Sequence, residues 1–333
     1  MGEVVFRKLQ RGIESTRGTA VAATAMIPGS IKLPSDRVIQ FPEDNLGLRV
    51  KSRRAVTHQI HVASLPISLI HPTFQEMAWL LSCGLKGSVT PVEQTTDQDD
   101  YLWDFTPSLT SVNEPKAATL ECGNDTQAYE LEYFMIKKYT FGGNIGADEP
   151  VKVDVEGFAK QITDTTFTAS LDLIDGDAMS ANMTRIYIDP AWASIGSTAK
   201  TDLLKKWQLD LISGVYAKFD AAGQKTMTGY GESYLSALLT MTLEGSSVAD
   251  GLWDDYRDMT PMAIRVMVDG PQIKAGDNNS LIFDIYGRFK DSLPMDAEEN
   301  GSDLHTAIFE NQADGEATQH SIGVKLTTDI NAL

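Results

Sequence analysis

The chain has 333 residues, 22% of them charged and 42% hydrophobic, with a formal net charge of −18. That length accommodates two domains, and the ordinary apolar fraction excludes wholesale disorder. The acidic balance, with no basic stretch long enough to grip phosphates, excludes a tight DNA-binding protein.

Residues 1–36 are polar, rich in Gly, Ala and Thr, and weakly periodic, which predicts an arm or a strand completed by a neighbour. Strands are expected over 46–52 and 56–70. A helix follows over 73–83, with Phe74, Met77, Ala78 and Leu81 as its buried stripe and Gly84 as its stop. Strands over 128–141 and 151–162 flank the loop 142–150. In the second of these Val151, Val153 and Val155 face one way and Lys152, Asp154 and Glu156 the other, the pattern of a strand with one dry and one wet face. Another strand is expected over 166–174.

The second half opens near TRIYIDPAW. Its longest predicted strand is 203–219, with Trp207, Leu209 and Leu211 inward and Lys206, Gln208 and Asp210 outward. A glycine-containing loop over 220–233 leads to a strand at 234–244 and a helix at 246–258. Further strands are expected at 262–269, 281–290, 303–311 and 320–329.

Two stretches read as internal duplication. VKVDVEGFAK (151–160) aligns with LIFDIYGRFK (281–290) through Asp154/Asp284, Gly157/Gly287 and Lys160/Lys290. LPISLIHPTFQEMAWLLS (65–82) aligns with LTMTLEGSSVADGLWDDY (239–256) through Leu69/Leu243, Phe74/Val248 and Trp79/Trp253. The two matches have different offsets, which assigns the first half an insertion at about 86–128. The expected fold is mainly β, with two tandem β-sandwich domains, each carrying one flanking helix. The expected boundaries are an arm over 1–36, a first domain over 37–178, a linker over 179–199 and a second domain over 200–333.

Catalytic and metal signatures are absent. His58 and His61 fall on opposite faces of a strand, so shared metal binding by the two fails geometrically, and a site completed by His71 is the minor alternative. TTDQDD (95–100) lacks the closing Glu of a calcium loop and reads as a solvated acidic turn. No GxSxG, HExxH or phosphate-binding Gly-Lys-Ser/Thr sequence occurs, and GYGES (229–233) precedes a strand rather than a helix. Cys83 and Cys122 do not make a disulfide framework. Trp79 and Trp253 read as core. The expectation is a non-enzyme without cofactor or metal. The opening MGEVVFRKLQRGIE lacks the apolar core of a signal peptide, and no stretch approaches the ~18 apolar residues of a membrane span, so synthesis in the cytosol and no membrane partner are expected.

Several phrases resemble the major tail tube proteins of long-tailed, siphovirus-like bacteriophages. They are GIESTRGTA (12–20), RIYIDPAWASIG followed by LLKKWQLDLISGVYAKFDAAGQ (185–224), LSALLTMTLEG, and the closing strands FDIYGRFK and GVKLTTDI. The resemblance implies a β-sandwich with a flanking helix, polymerised as stacked rings around a channel for DNA in the virion tail, after synthesis in the host cytoplasm. A duplicated chain implies a homotrimeric ring with pseudo-six-fold symmetry; without duplication, six chains are implied. The partners implied are further copies of the chain and the tape measure, terminator and distal tail proteins, with DNA passing through without tight binding.

On this reading the candidate lumen-facing residues are Lys152, Asp154, Glu156, Asp210 and Asp284, whose carboxylates would repel the phosphate backbone, while Lys152, Lys160 and Lys290 weaken that effect. The arm, the loop 220–233 and the insertion are expected to make contacts between chains. The competing reading is a carbohydrate-binding or adhesive β-sandwich protein of the virion, which predicts exposed aromatic clusters.

Overall fold

The alternation of apolar and polar residues dominates the folded chain. In a computed structural model, which describes residues 6–43, 47, 49–51, 53–172, 176–200, 203–299, 301–316 and 319–333, the protein is mainly β, with two α-helices among those residues. The first half contains β1 (Lys8–Ile13), β2 (Ala25–Met26), β3 (Gly29–Ile31), β4 (Arg37–Gln40), β5 (Val56–Ile60), β6 (Val62–Leu69), α1 (Phe74–Ser82), β7 (Val92–Glu93), β8 (Tyr101–Asp104), β9 (Ala118–Gly123), β10 (Ala128–Asn144), β11 (Lys152–Ala159) and β12 (Gln161–Thr165). The second contains β13 (Thr184–Asp189), β14 (Leu204–Ile212), β15 (Val215–Lys218), β16 (Gly229–Glu232), β17 (Ser236–Glu244), α2 (Ser247–Arg257), β18 (Met262–Gln272), β19 (Asn278–Glu299), β20 (Ser302–Asn311) and β21 (Ile322–Thr328).

The ladders between these strands are antiparallel, and the two halves repeat one pairing pattern. In the first half β1 pairs with β9, and the start of β10 lies between β9 and β12. The end of β10 pairs with β11, β11 with β6, and β6 with β3. In the second half β13 pairs with β18, and the start of β19 lies between β18 and β21. The end of β19 pairs with β20, β20 with β17, and β17 with β14. Each half also carries a separate two-stranded hairpin, β4–β5 and β15–β16.

Each long strand therefore serves two layers. In β10 the register to β9 shifts between Leu131 and Phe134, where Tyr133 has φ of 58°, and the register to β11 shifts between Ile136 and Lys138, matched in β19 by the shift against β20 between Phe289 and Asp291. A bulge bends the strand and increases its twist, which lets one strand leave a sheet and enter another.

The halves are joined through the end of β10. Its residues Lys138–Asn144 pair with Ile212–Lys206 of β14, so a sheet runs in the order β3-β6-β11-β10-β14-β17-β20-β19. One apolar cluster extends through both halves, with Phe141 of this sheet 4.7 Å from Phe283 on the overlying layer. The expectation of separate cores is thus replaced by a shared one. The expected arm contains β1, which pairs along its whole length with β9, and the expected linker contains β13, paired with β18.

Other expectations change in detail. The described residues of 46–52 and 166–174 are not strand, and the rest of those stretches lies outside the described residues. Strand 203–219 is broken at Ser213 and Gly214, where glycine meets a φ of 76°. The VKVDVEGFAK/LIFDIYGRFK match is not a structural equivalence: β11 pairs like β20, whereas 281–290 lies in β19, the counterpart of β10. The inserted segment lies within 83–117, between α1 and β9, where the second half has only Asp258–Pro261 between α2 and β18. Strand β9, which falls in the expected insertion, belongs to the repeated pattern.

The helices differ in burial. Nearly all of α1 is buried, including Phe74, Met77, Trp79 and Leu81, whereas α2 buries only Ala249 and Leu252. Counted from their caps, Thr73 and Ser246, the counterpart of Trp79 is Leu252 rather than Trp253. Trp253 is half-buried beside Tyr256. The 65–82/239–256 match therefore holds in the strands and slips by one residue in the helices.

Beneath α1 lie two buried ionisable groups that periodicity does not reveal. Arg11 of β1 is buried with its guanidinium 5.3 Å from the Trp79 ring, and Glu76 is buried with Oε2 accepting from the Thr73 N–H at 3.0 Å. Burial pushes the Glu76 carboxyl from 4.5 up to about 7, against the opposing pull of Arg11. A raised carboxyl is favoured in its protonated form by folding, so its contribution to stability is fully present below pH 4.5 and is lost as pH rises through about 7. The expected cost is roughly 3 kcal/mol. Urea unfolding of the wild type and Glu76→Gln at pH 5 and pH 8 should show the wild type losing stability relative to the variant as pH rises; parallel pH profiles would contradict the assignment.

Candidate assembly surface

The sheet β3-β6-β11-β10-β14-β17-β20-β19 has one face in the core and one polar face. Tyr139, Phe141, Val153, Val155, Leu209 and Leu211 point inward and are buried. Strand alternation puts their neighbours Lys138, Thr140, Lys152, Asp154, Glu156, Gln208 and Asp210 on the opposite face. Register then lines them up across strands. Ser68 faces Asp154, Asp154 faces Thr140, and Thr140 faces Asp210, while Pro66, Glu156, Lys138 and Ile212 form the next row.

The three carboxylates on the β10, β11 and β14 part of this face each meet a cation or a hydroxyl. Asp154 accepts from Ser68 and lies 2.9 Å from Lys152 Nζ. Asp210 accepts from the Thr140 hydroxyl at 2.7 Å and lies 3.3 Å from Lys138 Nζ. The Ser64 hydroxyl, and with it Lys137 Nζ at 2.9 Å, hold Glu156 below the usual carboxylate range. Further along, Lys205 Nζ lies 2.6 Å from Glu244 and lowers that group too, and Lys290 lies 3.0 Å from Glu310. The result over β10, β11 and β14 is a surface of paired charges rather than an acidic one.

Four of the five residues singled out from the sequence, Lys152, Asp154, Glu156 and Asp210, thus share one face. Asp284 does not join them. It lies on the first part of β19, between β18 and β21, is 3% exposed, and accepts from Arg265 Nε at 2.6 Å and Nη2 at 2.9 Å. That bidentate bond raises the Arg265 pKa. Lys160 is likewise elsewhere, on Glu132 at 3.0 Å.

The two ends of this sheet are edges. Among the described residues, β3 is paired only on the side of β6, and the last part of β19 only on the side of β20. Their counterparts inside the chain are β14 and the end of β10, which are joined to each other. The sequence gives little sign of these edges, because an edge differs from a central strand in its partners rather than in its period.

The second hairpin, β15–β16, leaves its own half and packs on the first. Val215 and Met227 form a small apolar cluster with Ala117, Tyr133, Met135 and Phe158. Arg17 lies 5.0 Å over the Tyr230 ring, and Glu232 accepts the backbone N–H groups of Asn113 and Glu114 at 2.9 and 3.1 Å. The tip reaches further, where the Ile60 N–H donates to Lys225 O at 2.9 Å and Phe219 lies 5.2 Å from His61. The loop 220–233 and the insertion therefore have intrachain roles that polarity alone does not indicate.

Other candidate chemistry resolves into structural contacts. His58 Nε2 is bonded to Gln40 at 2.6 Å and His61 Nδ1 to Ala159 O at 3.2 Å, and among the described residues no three His, Cys, Asp or Glu side chains converge on a metal position. Asp100 of TTDQDD accepts from Thr95 N at 2.8 Å and Asp277 N at 2.9 Å, tying that loop to the β18–β19 turn. Cys83 and Cys122 are free and buried, and burial pushes both thiols up to about 12, which removes them as nucleophiles at neutral pH. No protein-family model matches the chain, and no curated protein matches it.

The two Asp environments predict different tolerance. Asp284→Ala leaves a partly buried Arg265 unpaired and should destabilise by about 3 kcal/mol or more. Asp154→Ala removes a partly exposed pair and should cost about 1 kcal/mol or less. Denaturant midpoints of the two variants read this difference directly; equal losses would contradict the placement of Asp284.

Proposed function

We propose that copies of this chain join edge to edge into a ring whose inner wall is the polar sheet face, and that stacked rings form the tail tube of a long-tailed bacteriophage. The supporting observation is the pair of sheet edges. The end of β10 and β14 are joined within the chain over seven residue pairs, Lys138–Asn144 with Ile212–Lys206, while their counterparts, the end of β19 and β3, are free. Unpaired strand edges are a liability that closure removes. Three chains would close a barrel of about two dozen strands, wide enough to leave a channel. The tail-tube phrases in the sequence favour the same reading.

The tube would be a component of the virion tail, assembled from protein made in the host cytoplasm, with tape measure, terminator and distal tail proteins as neighbours. Its wall would be structural rather than catalytic. Lys152, Asp154, Glu156 and Asp210 would face the lumen, and their paired charges would present few free cations to phosphate. DNA would therefore pass over a hydrated surface instead of being held, since each phosphate contact adds salt-dependent affinity.

Negative-stain electron microscopy and native mass measurement of the purified protein test this reading. Hollow rings or rods with three chains per ring are expected. Six chains per ring would reject the trimer, and a compact monomer or a solid aggregate would reject the tube. In assembled particles, Asp154→Lys with Asp210→Lys should preserve the tube and slow DNA ejection in a salt-dependent way; unchanged ejection would count against a lumenal position for these residues.

A second reading, an adhesive or carbohydrate-binding protein, draws on one observation. Tyr216 and Tyr234 are exposed and line a shallow hollow with Lys137 and Lys138. Saturable binding of oligosaccharide, lost in Tyr234→Ala by a protein that forms no rings, would favour it.

A further inference from the structure

Among the described residues, the hairpin β4–β5 leaves apolar side chains uncovered on both of its faces. Val38 is 52% and Ile39 50% exposed, and strand alternation puts the exposed Val56 on the side of Val38 and the exposed Phe41 on the side of Ile39. Two isolated strands bearing β-branched residues toward water are marginal by themselves. Its counterpart β15–β16 is not left in this condition, because that hairpin covers Tyr133, Met135 and Phe158 of the other half.

The repeated pairing pattern identifies the missing surface. β10–β11 and β19–β20 are counterparts, and so are the starts of β9 and β18. Ala118 opens β9 opposite Phe134, and Met262 opens β18 opposite Gly287. Ala117 therefore corresponds to Pro261, and Phe158, which faces Met135, to Glu310, which faces Arg288, while Tyr286, paired with Ala263, takes the place of the bulged pair Glu132 and Tyr133. In the first half this surface is buried under β15–β16. In the second it is open, with Tyr286 half-buried, Arg288 exposed and the adjoining Met259 70% exposed.

The hairpin tips follow the same rule. The tip of β15–β16 reaches Ile60, two residues before β6. The matching residue before β17 is Tyr234, which is 93% exposed.

We propose that β4–β5 is a clasp that seats on a second copy of this chain, over the surface around Pro261, Tyr286 and Met259, with its tip directed at Tyr234. The inference shares with the proposed function the premise that copies meet at β3 and the end of β19. It adds that this contact is held from outside the sheet by a hairpin.

The test uses the full chain. Val38→Lys with Ile39→Lys alters only exposed hairpin positions, so the thermal unfolding of the protomer should be unchanged. The concentration at which half the protein is assembled, read by mass photometry, should rise by about tenfold or more, equivalent to at least about 1.4 kcal/mol. A second measurement mixes separately tagged Val38→Cys and Tyr286→Cys chains and scores linkage by a short bis-maleimide; the native thiols are buried and do not compete. Linkage between the two tags is expected. Normal assembly of the lysine variant, or tubes in which the cysteines do not link, would overturn the clasp and leave the tube standing. Linked oligomers that are not tubes would do the reverse. A wild type that stays monomeric at every concentration would overturn both.

Discussion

The constraint on which this structure turns is that a strand edge must find a partner. The chain meets it internally once, by joining the end of β10 to β14, and this ladder makes two repeated halves into one body. The bulge that bends β10 makes the join possible. It lets one strand anchor the outer layer with its first part and extend the polar-faced sheet with its second. Among the described residues the last part of β19 has no second partner, so the arrangement that unites the halves also leaves two matching free ends.

Electrostatics separates the two kinds of carboxylate. Asp284 is buried and held by both guanidinium bonds of Arg265, where losing one partner leaves a charge without water. Asp154, Glu156 and Asp210 sit on an open face, where their pairs with lysines stabilise little and instead set the charge that the surface presents. A net charge of −18 does not therefore imply an acidic wall. The pairing Lys152–Asp154, Lys137–Glu156 and Lys138–Asp210 makes this face close to balanced.

Much of the architecture was legible in the alternation of single strands. Val151, Val153 and Val155 inward, and Trp207, Leu209 and Leu211 inward, are both observed, and with them came the shared polar face of Lys152, Asp154, Glu156 and Asp210. The misplacement of Asp284 has a physical cause. A period of two says which residues share a face of a strand, but not which layer that part of the strand belongs to. Strand β19 changes layer midway, so its Asp284 resembles Asp154 in local pattern and differs from it in environment. The polar segment around β1 was obscured for another reason. Gln10, Arg11 and Glu14 are buried through packing and hydrogen bonds to distant residues, such as Glu14 accepting from Tyr133 N at 2.7 Å, and long-range partners leave no local periodicity.

The central claim is that the contact between copies reproduces the ladder between halves. Hydrogen exchange of the backbone amides in assembled and dispersed protein tests it most directly. The account predicts that Gly29–Ile31 and the last part of β19, beyond Asp291, gain protection together on assembly, while Lys138–Asn144 and β14 are already protected in the single chain. Assembly that leaves both free edges exchanging as fast as in the dispersed chain would contradict it.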